Sequence, residues 1–107
     1  MSDALDHLSP RSVWAHFASL AAIPRPSGRE DGAVAFVKSV GASIGAKARS
    51  DARGNVVLSA PASPGREKAA TVILQSHLDM VCEKNRDVAH DFERDPIRPR
   101  LLGEWVH

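Results

Sequence analysis

The sequence contains a single cysteine, Cys82. It can therefore form no internal disulfide, and one thiolate cannot build a cysteine-based zinc site. Nowhere does an apolar run approach the roughly 20 residues that a membrane-spanning helix requires. There is no basic block either. Lysine and arginine are scattered, and the formal net charge is +1, which gives no reason to expect nucleic acid or an acidic membrane surface as a partner. The opening "MSDALDHLSP" carries two aspartates and a histidine, where a signal peptide needs a basic and then an apolar segment. No G-x-x-x-x-G-K-[ST] pattern occurs, "SPGRE" is too short for a phosphate loop, and internal repeats and low-complexity tracts are missing. These absences leave the expectation of a cytoplasmic chain in a reducing compartment, binding neither nucleic acid nor membrane.

What is present fits one domain at most. The 107 residues are 43% hydrophobic and 25% charged, ordinary proportions for a globular protein. A chain of this length can bury about two thirds of its extended surface, enough for one modest core. Ser9-Pro10 opens a first helix, with serine as a cap and proline in the first turn. Val13, Phe17 and Leu20 recur at helical spacing, and Pro24 and Pro26 end the segment. A second helix is predicted after Ser27, which with Glu30 has capping-box spacing. Its apolar stripe is Ala33, Val37, Val40 and Ile44, with Gly45 as its stop. Gly32 and Gly41 interrupt the pattern.

A strand near 46–50 and another near 55–60 flank the turn-rich cluster from Asp51 to Asn55. After the polar loop "PASPGREKAA", the run from Thr71 to Leu74 is too continuous for a half-exposed sheet and predicts a strand buried on both faces. Beyond Met80 the chain is rich in charge and proline, an extended loop leading to a turn and strand near Trp105. Trp14 and Trp105 are expected to be packing residues, and Cys82 a small residue in or near the core. The order α, α, β, β, β indicates an α/β or α+β domain.

The apolar run ends in "QSHLDM", where His77 and Asp79 stand one residue apart. On extended backbone, residues two apart point to the same side, and strand C-termini are where ligands usually bind in α/β sheets. An imidazole is a good zinc ligand, and a carboxylate on its other ring nitrogen improves it. Yet a site needs three or four ligands, and such a pair is also an ordinary polar strand end. Spacing alone leaves both readings open. His7 lies near the start of the chain, His107 is its last residue, and His16 borders the first helix's apolar face. His90 sits in the charged loop beside Asp91. None of the four adds a clear ligand.

The motifs taken together carry more. "LSPRSVWAHFASLAAIPRPSGRE" is similar to an opening helix followed by an "IP-x-PS" turn. "DARGNVVL" looks like a "D-x-x-GN" hairpin. "LQSHLDMVCEKN", then "HDFERDPI" and "GEWV", look like a first catalytic motif and the loop after it. In this set and order the chain resembles the N-terminal segment of the aminoacyl-histidine dipeptidases. This is the peptidase D group, carnosinase-like zinc metallopeptidases of the aminoacylase/carboxypeptidase superfamily. The resemblance implies an α/β fold, the N-terminal part of a zinc-exopeptidase-like catalytic domain with two helices, a hairpin and then a buried strand. It implies that His77 is a ligand to one of two zinc ions, with manganese or cobalt as substitutes, and that Asp79 is the catalytic aspartate that orients it. The reaction implied is hydrolysis of dipeptides, including Xaa-His and β-alanyl-histidine, by a water activated between the metals. A homodimer is implied for full-length relatives.

The same resemblance implies further parts: a bridging aspartate in a G-A-D-N motif, paired glutamates that include the general base, another acidic ligand and a distant histidine. These motifs, and the dimerisation and lid domain, are not in this sequence. The 107 residues are thus expected to be an incomplete N-terminal portion, inert alone because attack by bound water needs a base. Two other readings remain. One is a small non-catalytic α/β module that binds a partner, the other one piece of a split enzyme completed by a second chain.

Overall fold

A computed structural model describes residues 3–107. A single 3-10 turn at Asp3–Leu5 precedes helix α1 (Arg11–Ala21) and helix α2 (Asp31–Ser43). Strands β1 (Lys47–Ser50) and β2 (Val56–Ser59) form one antiparallel hairpin, and β3 (Leu101–Leu102) and β4 (Trp105–Val106) form another.

Helix α1 starts after Pro10, whose extended backbone marks the N-cap and whose carbonyl accepts from Trp14 N at 3.4 Å. Ser9 does not cap with its side chain. Its carbonyl instead accepts a 3.4 Å bond from the Trp14 indole. The helix stops at Ala21, ahead of Pro24 and Pro26, as the stereochemistry of pre-proline residues requires. The packed face is rotated from the expected one. Ala21 is buried and Trp14, Ala18 and Leu20 are half-buried, while Val13 and Phe17 are exposed.

Helix α2 begins later than the capping-box spacing predicts. Its N-cap is Glu30, no side chain caps it, and the Glu30 carboxylate accepts from Gly28 N at 2.7 Å instead. Ala33 is fully buried, Val37 and Val40 are half-buried, and Ile44 is exposed. Gly45 ends the helix as expected. At φ +73° it lies in the left-handed region that glycine enters at little cost. Its N–H donates to Ala42 O at 3.1 Å, and Ala46 N donates to Gly41 O at 2.9 Å. This is the double bond of a Schellman motif. Gly41 has a packing reason to be glycine: a Cβ there would stand 2.7 Å from Leu58 Cδ2. The helix and the first hairpin touch at that point.

The β1–β2 register pairs Lys47 with Ser59 and Ser50 with Val56. Its turn is held by one carboxylate. Asp51 Oδ1 accepts from Arg53 N at 2.9 Å and Asn55 N at 3.0 Å, and Oδ2 accepts from Asn55 Nδ2 at 2.8 Å. Gly54 N donates back to Asp51 O at 3.2 Å with Gly54 at φ +85°, the three-residue loop closed by a left-handed glycine.

The strand predicted from Thr71 does not form. Residues 71–79 carry no strand, and Val72, Ile73 and Leu74 are 79%, 85% and 92% exposed. A strand buried on both faces needs a paired neighbour at each edge and a covering layer. Among the described residues nothing supplies these. Trp105, expected to pack, is 74% exposed on β4.

The buried apolar core among the described residues is Leu5, Ala21 and Ala33. The radius of gyration is 16.4 Å, against about 13 Å for a compact domain of about 100 residues. No helix among the described residues is long and apolar enough to cross a membrane.

Candidate functional site

The segment after α1 sets one wall of the site. Pro24 and Pro26 hold the backbone extended and remove two amide donors. The Arg25 guanidinium donates through Nη1 to Leu20 O at 2.8 Å, bracing the turn against the helix end. The Arg25 carbonyl is thus left to face a neighbour, and Met80 N donates to it at 2.9 Å. Pro26 and Met80 form a parallel β-bridge. This short pairing fixes the end of the "QSHLDM" segment beside the "RPS" turn.

The bridge brings three polar side chains into one chain of hydrogen bonds. Ser27 Oγ donates to Asp79 Oδ2 at 2.5 Å, and Asp79 Oδ1 lies 2.9 Å from His77 Nδ1. The Asp79 carbonyl is also 3.0 Å from Nδ1. The Ser27 hydroxyl, and after it the His77 ring, hold the Asp79 carboxyl below its usual value, because both stabilise the ionised form.

The contacts of His77 determine its tautomer. Both groups facing Nδ1 are oxygens of Asp79, an ionised carboxylate and a carbonyl, and neither can donate. Nδ1 must therefore carry a proton. In the neutral ring the lone pair is then on Nε2, which makes no hydrogen bond among the described residues, and the side chain is 78% exposed. This arrangement, a carboxylate on one ring nitrogen and an open lone pair on the other, suits a metal ligand. His77 offers one such donor. No group of three or more histidine, cysteine, aspartate or glutamate side chains able to hold an ion is present among the described residues.

The other histidines stay apart from this pair. His16 is exposed and meets Phe36 edge-on at 6.3 Å between ring centroids. His7 is exposed, and His107 closes the second hairpin, its N–H donating to Arg100 O at 2.8 Å. His90 packs 4.8 Å from Phe92, with its Nε2 buried and without a hydrogen-bond partner. Asp91 is occupied locally, accepting from Glu93 N at 2.9 Å. Cys82, expected in or near the core, is exposed, with its thiol 3.6 Å from Met80 O. The charged loop that carries it has no apolar layer to sink into.

Sequence reasoning missed Ser27. The spacing to Glu30 assigned it to helix capping, but the serine turns the other way, toward a residue 52 positions along the chain. No local signal marks this role: Pro26 restricts itself and Arg25, not Ser27, and the contact depends on the Pro26–Met80 bridge.

Comparison with known proteins gives a consistent outcome. No protein-family profile matches the chain. Cytosol non-specific dipeptidase of Escherichia coli (strain K12) is 41% identical over 102 residues, 95% of this chain and 21% of that protein. The crystal structure of aminoacylhistidine dipeptidase from Vibrio alginolyticus superimposes with a TM-score of 0.87 at 41% identity, again over 95% of this chain and 21% of that one. The chain thus spans about a fifth of the length of each protein it matches. Sequence and backbone both carry the likeness to dipeptidases that the motifs indicate.

Proposed function

We propose, from the likeness of nearly the whole chain to two dipeptidases, that it is the N-terminal portion of a catalytic domain for metal-dependent dipeptide hydrolysis. The substrates in this reading are short peptides of the Xaa-His class, including β-alanyl-histidine. The observation that carries it is the hydrogen-bonded pair His77–Asp79, at 2.9 Å, in a chain 41% identical to a dipeptidase over 95% of its length. A cytosolic setting belongs to the same reading, supported by the name of the Escherichia coli relative.

In this reading His77 would hold a zinc ion through Nε2, with manganese or cobalt as alternatives for a similar ligand set. A pair of such ions, when bound, polarises the scissile carbonyl and lowers the pKa of a bound water. Asp79 supplies the orientation. By accepting the Nδ1 proton it keeps the lone pair on Nε2 and restrains the ring. The ionised carboxylate also makes the imidazole a better donor. The remaining ligands, the general base and a homodimer interface are assigned to polypeptide outside these residues, since the matched dipeptidases are about five times longer.

The test uses a longer polypeptide that includes this segment, assayed on Xaa-His dipeptides. Activity is expected to vanish on chelation and return with zinc, manganese or cobalt. His77→Ala is expected to abolish it. Asp79→Ala is expected to lower metal affinity by about 10- to 100-fold while leaving some binding. Normal turnover in Asp79→Ala would remove the role given to that residue.

A second reading is a piece of a split enzyme or a binding module completed by another chain; the lack of a cluster of three metal-capable side chains among the described residues fits it and the first reading alike. Mixing this 107-residue chain with the remaining portion of a relative separates the two. Metal-dependent hydrolysis that appears only on mixing supports the split enzyme, and stable association without hydrolysis supports the binding module.

A further inference from the structure

The hydroxyl of Ser27 has no role in local backbone structure. The N-cap position of α2 is Glu30, and no side chain caps the helix. The turn around Ser27 is held by main-chain bonds, Arg29 N to Pro26 O at 2.8 Å and Met80 N to Arg25 O at 2.9 Å. Among the described residues the one partner of the hydroxyl is Asp79 Oδ2, at 2.5 Å. A serine on the α1–α2 connection thus reaches across the short β-bridge to the carboxylate that faces His77.

We propose that Ser27 is a positioning residue that fixes the Asp79 carboxylate, so that the other oxygen stays on His77 Nδ1–H and the ring presents Nε2 outward. This rests on the reading of His77 as a metal ligand and of Asp79 as its orienting group. The physical need for such a pin is plain. The last torsion of an aspartate is broad and roughly two-fold, so its own rotamer preference does little to set the carboxylate plane. The His77 side chain is 78% exposed, so packing does not restrain the ring, and Asp79 is only half-buried, at 35% exposed. A hydroxyl donating to an ionised oxygen makes a charge-assisted bond, and it occupies one carboxylate oxygen while the other remains opposite the imidazole. Without that bond the carboxylate can turn to solvent. Nδ1–H is then left with the Asp79 carbonyl alone, at 3.0 Å, and the share of the form with its proton on Nε2, which blocks that nitrogen as a ligand, rises.

The experiment is 15N NMR of the histidine rings in the full 107-residue chain, at a pH where the imidazole is neutral. It compares the unmodified chain with Ser27→Ala, Ser27→Val, Ser27→Thr and Asp79→Ala. The unmodified chain and Ser27→Thr are expected to show His77 mainly protonated on Nδ1. Ser27→Ala and Ser27→Val are expected to shift the population measurably toward Nε2–H, the Asp79 carbonyl remaining as the other acceptor for Nδ1–H. Threonine and valine have nearly the same shape, so the contrast between them isolates the hydroxyl. An unchanged tautomer in Ser27→Ala and Ser27→Val, with a changed one in Asp79→Ala, overturns the role of Ser27 and leaves that of Asp79 intact. An unchanged ring in Asp79→Ala as well overturns the reading of Asp79 itself. Loss of the folded amide spectrum in both Ser27→Ala and Ser27→Val, or failure of Ser27→Thr to restore the Nδ1–H form, also overturns the proposal, since the hydroxyl would then serve the loop.

Discussion

Two carboxylates, Asp51 and Asp79, are held by hydrogen bonds in the same way, and their pKa directions agree. The Asn55 side chain, followed by the Asn55 backbone, keeps Asp51 below its ordinary value near 3.8. A folded-state pKa that is depressed contributes stability above the unfolded value, and that contribution is lost as pH falls through the folded one. Through neutral pH the contribution to the first turn is therefore constant, and it declines only in acid, below about 3.8. Following the Arg53 and Asn55 amide resonances through an acid titration checks this, and a transition centred above the ordinary value would contradict it. Cys82 gives a second residue-scale prediction. Its exposed thiol is expected to react with a thiol reagent in the folded chain about as fast as in urea. In a longer active polypeptide Cys82→Ser is expected to leave hydrolysis unchanged. Inactivation by thiol modification with the metals still bound would place Cys82 in the chemistry.

Between elements, Gly41 of α2 lies tightly against Leu58 of β2. Gly41→Val puts a branched side chain where even a Cβ meets Leu58 Cδ2 at 2.7 Å, and overpacking of this kind costs about 1–3 kcal/mol. Urea denaturation is expected to show that loss. At the other face of the same turn, Gly45→Ala meets no atom within 4 Å but must adopt φ +73°, which costs about 1–2 kcal/mol for an L-residue. Equal stability of Gly45→Ala and the parent would show that the helix end relaxes out of the Schellman geometry. The helices and the first hairpin were legible in the sequence to within a few residues because each is set locally: prolines and Gly45 stop the helices, and Asp51 with Asn55 closes the turn. The rotated face of α1 was not legible. Val13, Phe17 and Leu20 share a helical stripe, but which stripe is covered depends on where Leu5 and the later chain lie.

As a whole molecule the chain is open, with a radius of gyration of 16.4 Å and extents of 54 × 36 × 20 Å. Val72, Ile73 and Leu74 form an exposed apolar run with no strand beside it. An uncovered apolar run of this kind is prone to associate with another chain. The isolated chain is expected to self-associate as concentration rises. Leu74→Lys is expected to suppress that association by putting a charge on the exposed segment. Sedimentation velocity of both proteins over a range of concentrations decides it, and a parent chain that stays monomeric throughout would contradict the expectation.

The amino-acid order alone determined the two helices, the Asp51 turn and the nearness of His77 to Asp79, because each depends on residues a few positions apart. It also carried the motif order that resembles dipeptidases. Only the tertiary structure decided that Ser27 joins the pair, since a bond across 52 positions has no local signature and arises from the Pro26–Met80 bridge. It also decided that the run from Thr71 stays uncovered. A hydrophobic run records a capacity for burial, but burial itself requires neighbouring strands and a covering layer, and those are properties of the assembled chain.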